Sequence, residues 1–201
     1  MLLKQVLSRK QVDIVLLQEI WHPKNSLNFR NYQEPILKER KKDKKETGGG
    51  VAIVCHKSVK CVEKKEYDVE GLEAKWAEVM INSNRMIVGS VYINGGKSSE
   101  LNKFELIVTR ILKDYKKMII GMDANSRNMV WDNSALGKSP YSQSIKMGNQ
   151  LLDIIETTPF YIQNDGSPTY FNGDKRSAPD VTYTCNIIWY CGNKRNKLVE
   201  P

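Results

Sequence analysis

The sequence predicts a single domain of the α/β class. Two short, nearly continuous apolar runs, residues 12–17 and 118–122, are typical of strands that are covered on both faces of a sheet. Apolar residues recur at helical spacing from Phe104 to Tyr115, which predicts a helix that covers one face of that sheet. With 201 residues and 40% hydrophobic content, the chain can bury one sizeable core.

The N-terminal part of the chain predicts a helix, a strand and a charged loop. Residues 1–11 place apolar side chains on one helical stripe, and the strand that follows ends at Gln18 and Glu19. Residues 38–45 are almost all charged and precede the glycine-rich residues 47–50, so we expect a solvated loop there. A loop that grips phosphate is the alternative interpretation.

The remaining elements alternate between strands and helices. Strands are predicted at residues 51–55, 74–81 and 86–92, and a second helix at residues 144–156. Asn102 and Glu105 form a capping-box pattern, which predicts that the first of these two helices begins near Asn102. Residues 1–189 are therefore expected to form the domain, and residues 190–201 a loose tail.

Composition and charge limit the classes of partner and compartment. The formal charge of +8 favours a polyanion such as nucleic acid, although a lysine-biased surface is the alternative. No apolar run reaches the roughly 18 residues of a membrane span, and no signal peptide is recognisable. The expectation is a soluble intracellular protein, nuclear or cytoplasmic, that is not secreted. The four cysteines are expected to be reduced thiols, with a zinc site as the alternative.

Acidic residues follow the two predicted buried strands. Glu19 comes directly after the first, and Asp123 and Asn125 come directly after the second. If the two strands are neighbours, both carboxylates point to the same edge of the sheet. A hard cation such as Mg²⁺ accepts one or two protein carboxylates and completes its shell with water and phosphate. A helix cap or an ion-pair partner is the alternative role for each acid.

Four motifs occur in the order found in the endonuclease/exonuclease/phosphatase family, and the chain resembles that family from about residue 12 to residue 186. The motifs are Gln18-Glu19, Gly89-Ser90-Val91-Tyr92, Gly121-Met122-Asp123-Ala124-Asn125 and Ser177-Ala178-Pro179-Asp180. Within the family, Trp131 and the segment Ser167-Pro168-Thr169-Tyr170 make the chain most similar to the endonuclease domain of non-LTR retrotransposons.

The resemblance implies a fold and a reaction. The implied fold is a four-layer α/β sandwich, in which two packed mixed β-sheets are flanked by helices. The implied activity is hydrolysis of DNA phosphodiester bonds with Mg²⁺ or Mn²⁺ as cofactor. DNA is the implied partner, and a reverse transcriptase domain can belong to the parent element.

The resemblance also implies a role for each matching residue. Glu19 would bind the metal, Tyr92 would contact the scissile phosphate, and Asp123 would activate or position the nucleophile. Asn125 would bind substrate and stabilise the transition state, and Asp180 corresponds to an acid that orients a histidine. Thr169 lies where related enzymes approach the DNA backbone.

The sequence departs from the family pattern at both ends. The family's first strand, which ends in a metal-site asparagine, has no counterpart, and neither has its terminal Ser-Asp-His strand. The two histidines, His22 and His56, match no catalytic position. We therefore expect a truncated domain with weak or no nuclease activity. The alternatives are a nucleic-acid-binding relic without catalysis and a phosphoesterase for a small phosphorylated substrate.

Overall fold

The computed structural model describes residues 3, 5, 7, 12–21, 27–40, 49–95 and 97–186. These residues form a smaller sheet, a larger sheet, a two-stranded ribbon and two α-helices. The smaller sheet contains β1 (Ile14–Gln18), β2 (Ile36–Lys38) and β3 (Val51–Cys55). The larger sheet contains β4 (Lys60–Glu63), β5 (Glu73–Ile81), β6 (Asn84–Tyr92), β7 (Met118–Asp123), β8 (Tyr161–Ile162) and β11 (Asp180–Cys185). The ribbon is β9 (Tyr170–Asn172) with β10 (Lys175–Ser177), and the helices are α1 (Ser98–Asp114) and α2 (Gln143–Glu156).

The larger sheet is mixed, as the family resemblance implies. Its strand order is β4-β5-β6-β7-β11-β8, and β6 pairs with β7 in parallel while the other pairs are antiparallel. A parallel pair needs a crossover, and α1 lies between β6 and β7 in the chain. The smaller sheet has the order β1-β3-β2, and its described pairs are antiparallel.

The two sheets pack face to face, with α1 and α2 on the outer face of the larger one. Ile53 and Cys55 of β3 pack against Val79 and Val88 of the larger sheet, as expected for alternate residues of one strand face. The main core lies between the larger sheet and the helices, and Trp76 and Phe104 are fully buried there with many neighbours. The predicted sandwich of sheets and helices is therefore confirmed.

Two details of the elements differ from the sequence prediction. Helix α1 begins at Ser98, one turn before Asn102, and the side chain of Asn102 instead accepts a hydrogen bond from Gln150 of α2 at 2.8 Å. Strand β1 is half-buried along its length rather than fully buried, because it pairs only with β3 among the described strands. Apolar periodicity identifies an element but does not reveal whether a strand lies at the edge of its sheet.

Several predicted segments lie wholly or partly outside the described residues. These are the first helix, where Leu3, Gln5 and Leu7 are described and are helical, the charged loop from residue 41 to residue 48, and the tail after residue 186. Leu3 and Leu7 pack on the outer face of the smaller sheet. No helix in the described part of the chain is long and apolar enough to cross a membrane.

Gly148 provides a test of the packing between α2 and the loop after β7. A Cβ atom at Gly148 would overlap the backbone carbonyl of Arg127, so the helix can approach this loop only with glycine at that position. Alanine is the better helix former, but we expect Gly148→Ala to lower the free energy of unfolding by about 1–3 kcal/mol because of the overlap. Urea unfolding measures the change.

Gly95→Ala is the matched control for this test. A Cβ atom there would lie 3.5 Å from the Cβ of Asn125, which is an ordinary contact distance. We expect this variant to unfold within about 0.5 kcal/mol of the wild type. Equal stability of the two variants would contradict the packing described for α2.

Candidate functional site

Strand register places three of the predicted site residues in one row across the larger sheet. Tyr92 at the end of β6 is aligned with Asp123 at the end of β7, and Asp123 is aligned with Asp180 at the start of β11. The preceding β6 residue, Val91, packs on the helix side of the sheet. Because side chains alternate along a strand, the row of three faces the smaller sheet.

Hydrogen bonds between the sheets hold the end of β1 over this row. The side-chain amide of Gln18 donates to the hydroxyl of Ser90 at 2.9 Å and to the carbonyl of Gly121 at 3.0 Å. The Ser90 hydroxyl in turn donates to the carbonyl of Leu17 at 2.7 Å. A Cβ atom at Gly121 would lie 3.1 Å from the side chain of Leu16, so glycine permits the close approach of β1. These contacts place Glu19, the next residue, at the site.

Two site residues have left-handed backbone conformations that are uncommon without glycine. Glu19 has a φ of 51° and Asn125 a φ of 44°. The backbone N–H of Asn125 donates to the carboxylate of Asp123 at 3.1 Å, and its side-chain amide donates to the carbonyl of Ile93 at 3.0 Å. Such conformations persist where neighbouring contacts stabilise them, and they occur often at functional sites.

The carboxylates at the site influence one another. Burial and the negative charges of Asp180 and Glu19 together raise the pKa of Asp123 to about 6, against the hydrogen bond from the Asn125 N–H. Asp123 and Asp180 are half-buried, while Glu19 is exposed and accepts a hydrogen bond from the Trp21 indole at 3.4 Å. Glu19 and Asp123 therefore converge at one rim of the sandwich, as the family resemblance requires.

Tyr92 connects these acids to a basic residue. The Arg40 guanidinium lies over the Tyr92 ring, with its carbon 5.0 Å from the ring centroid. Burial raises the pKa of Tyr92, the nearby Arg40 opposes that rise, and the negative charge of Glu19 adds to it. Arg40 also pairs with Glu73, the first residue of β5.

Thr169 lies at the margin of the site. Its hydroxyl accepts a hydrogen bond from the backbone N–H of Asp180 at 3.4 Å, and its own N–H donates to the carbonyl of Ser177 at 2.9 Å. Thr169 is exposed, so its side chain is accessible from solvent. Trp131, in contrast, is fully buried in the main core, where it packs against the helices and the sheet.

The structure thus brings together Glu19, Tyr92, Asp123, Asn125 and Asp180, with Thr169 beside them. His56 lies at the opposite end of the smaller sheet, because it follows the last residue of β3 while Gln18 pairs with the first. His22 lies outside the described residues. Among those residues, no set of three or more His, Cys, Asp or Glu side chains is close enough to enclose a metal ion.

Sequence reasoning missed the polar residues that surround the acids. Arg40 falls in a charged segment whose pattern predicts a solvated loop. Glu73 comes just before the predicted strand at residues 74–81 and belongs to no distinguishing motif. Gln18 and Ser90 stand inside quoted motifs, but the sequence does not indicate that they contact each other across two sheets. No signal in one sequence distinguishes these residues from surface polar residues.

Comparisons with known proteins agree on the family and the fold. Residues 86–192, just over half of the chain, match the family described as "Endonuclease-reverse transcriptase". No curated protein matches the sequence.

Solved structures of low sequence identity share the fold. The endonuclease domain of TRAS1, a telomere-specific non-LTR retrotransposon, is 18% identical with a TM-score of 0.67, over 92% of this chain and 78% of that one. The 3' phosphatase NExo from Neisseria, bound to product DNA hairpin, is 15% identical with a TM-score of 0.63, over 93% and 81%. The human Nocturnin catalytic domain is 13% identical with a TM-score of 0.56, over 92% and 73%.

Gln18→Leu tests the hydrogen bonds between the sheets. The substitution leaves the Gly121 carbonyl without its donor in a partly buried position, so we expect the free energy of unfolding to fall by about 1–3 kcal/mol. The control is Gln150→Leu, which removes an exposed hydrogen bond to Asn102. We expect the control to change stability by no more than about 0.5 kcal/mol, measured by urea unfolding. Equal effects of the two variants would show that the Gln18 contact does not hold the sheets together.

The raised pKa of Asp123 predicts how stability depends on pH without divalent cations. The folded chain binds the Asp123 proton more tightly than the unfolded chain, whose carboxyl has a pKa near 3.8. This proton therefore stabilises the fold at low pH, and the stabilisation is lost as pH rises from about 4 through about 6. Asp123→Asn is expected to be more stable than the wild type at pH 7.5, by at most about 3 kcal/mol, and the difference should vanish near pH 4.

Urea unfolding in the presence of a chelator measures this dependence. The control is Asp153→Asn, which changes an exposed carboxylate on α2 and should show no comparable trend between pH 4 and pH 7.5. A difference between Asp123→Asn and the wild type that is constant over this range would contradict the raised pKa.

Proposed function

We propose that this chain, which belongs to the endonuclease-reverse transcriptase family, hydrolyses DNA phosphodiester bonds with a divalent cation, as a retrotransposon-type endonuclease domain. The convergence of Glu19, Tyr92, Asp123, Asn125 and Asp180 at one rim carries the proposal. The family fold is that of nucleases and phosphatases, so the chemical class is phosphoester hydrolysis.

The donor chemistry of the site fits a divalent cation, which the family generally uses. Burial raises the pKa of Asp123, the negative charges of Asp180 and Glu19 add to the rise, and a nearby cation would relieve that repulsion. Mg²⁺ takes oxygen ligands and needs only one or two carboxylates beside water and phosphate, so a set of three is not required. Glu19 would hold Mg²⁺ or Mn²⁺, which when bound polarises the phosphoryl oxygens.

Each remaining site residue has a role that its contacts support. Asp123, with a pKa of about 6, is suited to orient a water molecule and accept its proton near neutral pH. The Tyr92 hydroxyl would donate to a phosphoryl oxygen, and the hydrogen bond from the Asn125 backbone N–H to Asp123 holds Asn125 next to that carboxylate. Asp180 supplies negative charge that raises the pKa of Asp123, and its backbone N–H donates to the Thr169 hydroxyl, which would approach the DNA backbone.

We propose a low catalytic rate for the chain as it stands. Proton transfer by a positioned side chain contributes about 10²–10⁴-fold to rate, and the described residues place no imidazole beside Asp180. His56 cannot take this role from the opposite end of the smaller sheet.

The net charge favours DNA over a small substrate. A formal charge of +8 attracts a polyanion through counterion release, whereas a small phosphomonoester gains little from charges distributed over the surface. The second candidate is a domain that binds DNA without cutting it, which the same charge and the distant His56 support. We also propose that the endonuclease domain is associated with a reverse transcriptase domain and is located inside the cell.

Nicking of supercoiled plasmid tests the proposal directly. The wild-type chain is incubated with Mg²⁺ or Mn²⁺ and compared with Glu19→Gln and Asp123→Asn, which preserve shape and remove one charge each. We expect slow nicking by the wild type and a loss of about 10²-fold or more in both variants. Glu105→Gln and Asp153→Asn, two exposed helical positions, are the matched controls and should retain wild-type rates.

The other outcomes separate the alternatives. Equal nicking by all five proteins would identify a contaminating nuclease. DNA retention that weakens steeply with salt, without nicking, would support the binding domain and reject the enzyme. Release of phosphate from a sugar phosphate, with no effect on plasmid, would identify a small-molecule phosphatase.

A further inference from the structure

The two flanks of the charged loop lie against the site rather than in solvent. The sequence predicts a solvated loop for residues 38–45 and 47–50, yet Gly49 and Gly50 are buried and Arg40 is half-buried. The side chain of Arg40 is only 16% exposed. A solvated loop does not explain why these three residues are buried or half-buried.

Arg40 contacts the catalytic row through Tyr92. Its guanidinium carbon lies 5.0 Å from the centroid of the Tyr92 ring, and the guanidinium is close enough to the Tyr92 hydroxyl to act against the rise in its pKa. The same hydroxyl interacts with Glu19. One nitrogen of the guanidinium, Nη2, is buried without a hydrogen-bond partner, which is costly for a charged group.

A second layer of contacts holds Arg40 in this position. The guanidinium Nε donates to the carboxylate of Glu73, whose other oxygen accepts the N–H of Gly50 at 2.7 Å. A Cβ atom at Gly49 would overlap the guanidinium, and Gly49 has a φ of 90°, so only glycine suits this position. The two glycines thus lie directly against the pair of Arg40 and Glu73.

We propose that Arg40 is a positioning residue that directs the Tyr92 hydroxyl towards the scissile phosphate. The guanidinium lies over the Tyr92 ring and so fixes the position of the ring. A phenol has a single proton, and the positive charge of Arg40 repels it, so the O–H bond turns away from the guanidinium and is available to a phosphate held beside Glu19. This inference rests on the proposed function and adds Arg40, Glu73, Gly49 and Gly50 to its machinery.

The planar fork of arginine is essential to this role. Arg40 pairs with Glu73 and lies over the Tyr92 ring at the same time. A lysine carries the same charge, but its single ammonium group cannot reproduce the fork or the stacking on the ring. Charge alone therefore does not substitute for Arg40.

A double-mutant cycle on nicking kinetics tests the inference with the full chain. We expect Arg40→Met to lower kcat about 10–100-fold with KM within about twofold of wild type, because misplacement of a contacting group affects the reaction more than binding. Tyr92→Phe removes the hydroxyl, and in its presence Arg40→Met should cause no further loss in kcat. Arg30→Met removes a positive charge from an exposed site at the opposite end of the smaller sheet and should leave kcat unchanged.

The conservative variants distinguish positioning from charge and from folding. Arg40→Lys should lose nearly as much kcat as Arg40→Met, and millimolar guanidinium should restore part of the kcat of Arg40→Ala. Full activity of Arg40→Lys, or losses that multiply in the double mutant, would overturn the proposal.

A double-mutant cycle on the free energy of unfolding tests the contact between Arg40 and Tyr92 even if the wild type does not nick DNA. Urea unfolding of Arg40→Met, Tyr92→Phe and the double mutant measures the coupling between the guanidinium and the hydroxyl. We expect Arg40→Met to reduce the folding equilibrium constant at least about twofold more when the Tyr92 hydroxyl is present than in the Tyr92→Phe background. Additive effects would show that Arg40 does not hold Tyr92, whereas coupling without nicking would reject the proposed function and retain the contact.

Discussion

The site depends on the hydrogen bonds that the Gln18 side chain makes across the two sheets. Its amide reaches Ser90 on β6 and Gly121 on β7, so the end of β1 is held to the two central strands of the larger sheet. Glu19 follows Gln18 directly and lies beside the row formed by Tyr92, Asp123 and Asp180 for that reason. Without this connection, two independently paired sheets could slide and separate the carboxylates. Burial of the polar amide is stabilising only because each donor has an acceptor.

The rim assembles groups that destabilise one another without a ligand. Asp123 is half-buried near two other acids, which raises its pKa, and Glu19 and Asn125 have backbone conformations that few side chains adopt. Such local costs are typical of sites that bind a charged ligand, because the ligand compensates for them. The pair of Arg40 and Glu73 contributes a balanced charge next to this acidic group. The unfavourable charge contacts and backbone conformations therefore lie at one edge of the fold. The apolar core around Trp76 and Phe104 stabilises the rest of it.

Most elements were predictable because their signals are local. Apolar runs identified β1, β3 and β7, helical spacing identified α1 and α2, and the acids Glu19 and Asp123 were recognisable because they follow buried strands. The start of α1 was wrong by one turn, because Asn102 has a capping pattern but uses its side chain to contact α2. Arg40 was missed because a charged segment has the same composition whether its ends are solvated or buried. Its position depends on Gly49, Glu73 and Tyr92, which are far apart in the chain.

The sequence by itself determined the class of fold, the order of the motifs and the identity of the acids at the strand ends. It did so because apolar periodicity and short motifs are properties of contiguous residues. Only the tertiary structure decided that β1 pairs with β3 alone among the described strands, that Glu19 converges with Asp123, and that His56 lies at the far end of the sheet. These facts depend on strand order and on side-chain contacts between residues separated by 70 or more positions, such as Gln18 and Ser90. The linear pattern of residues does not indicate which strands are neighbours or which ends of the two sheets lie together.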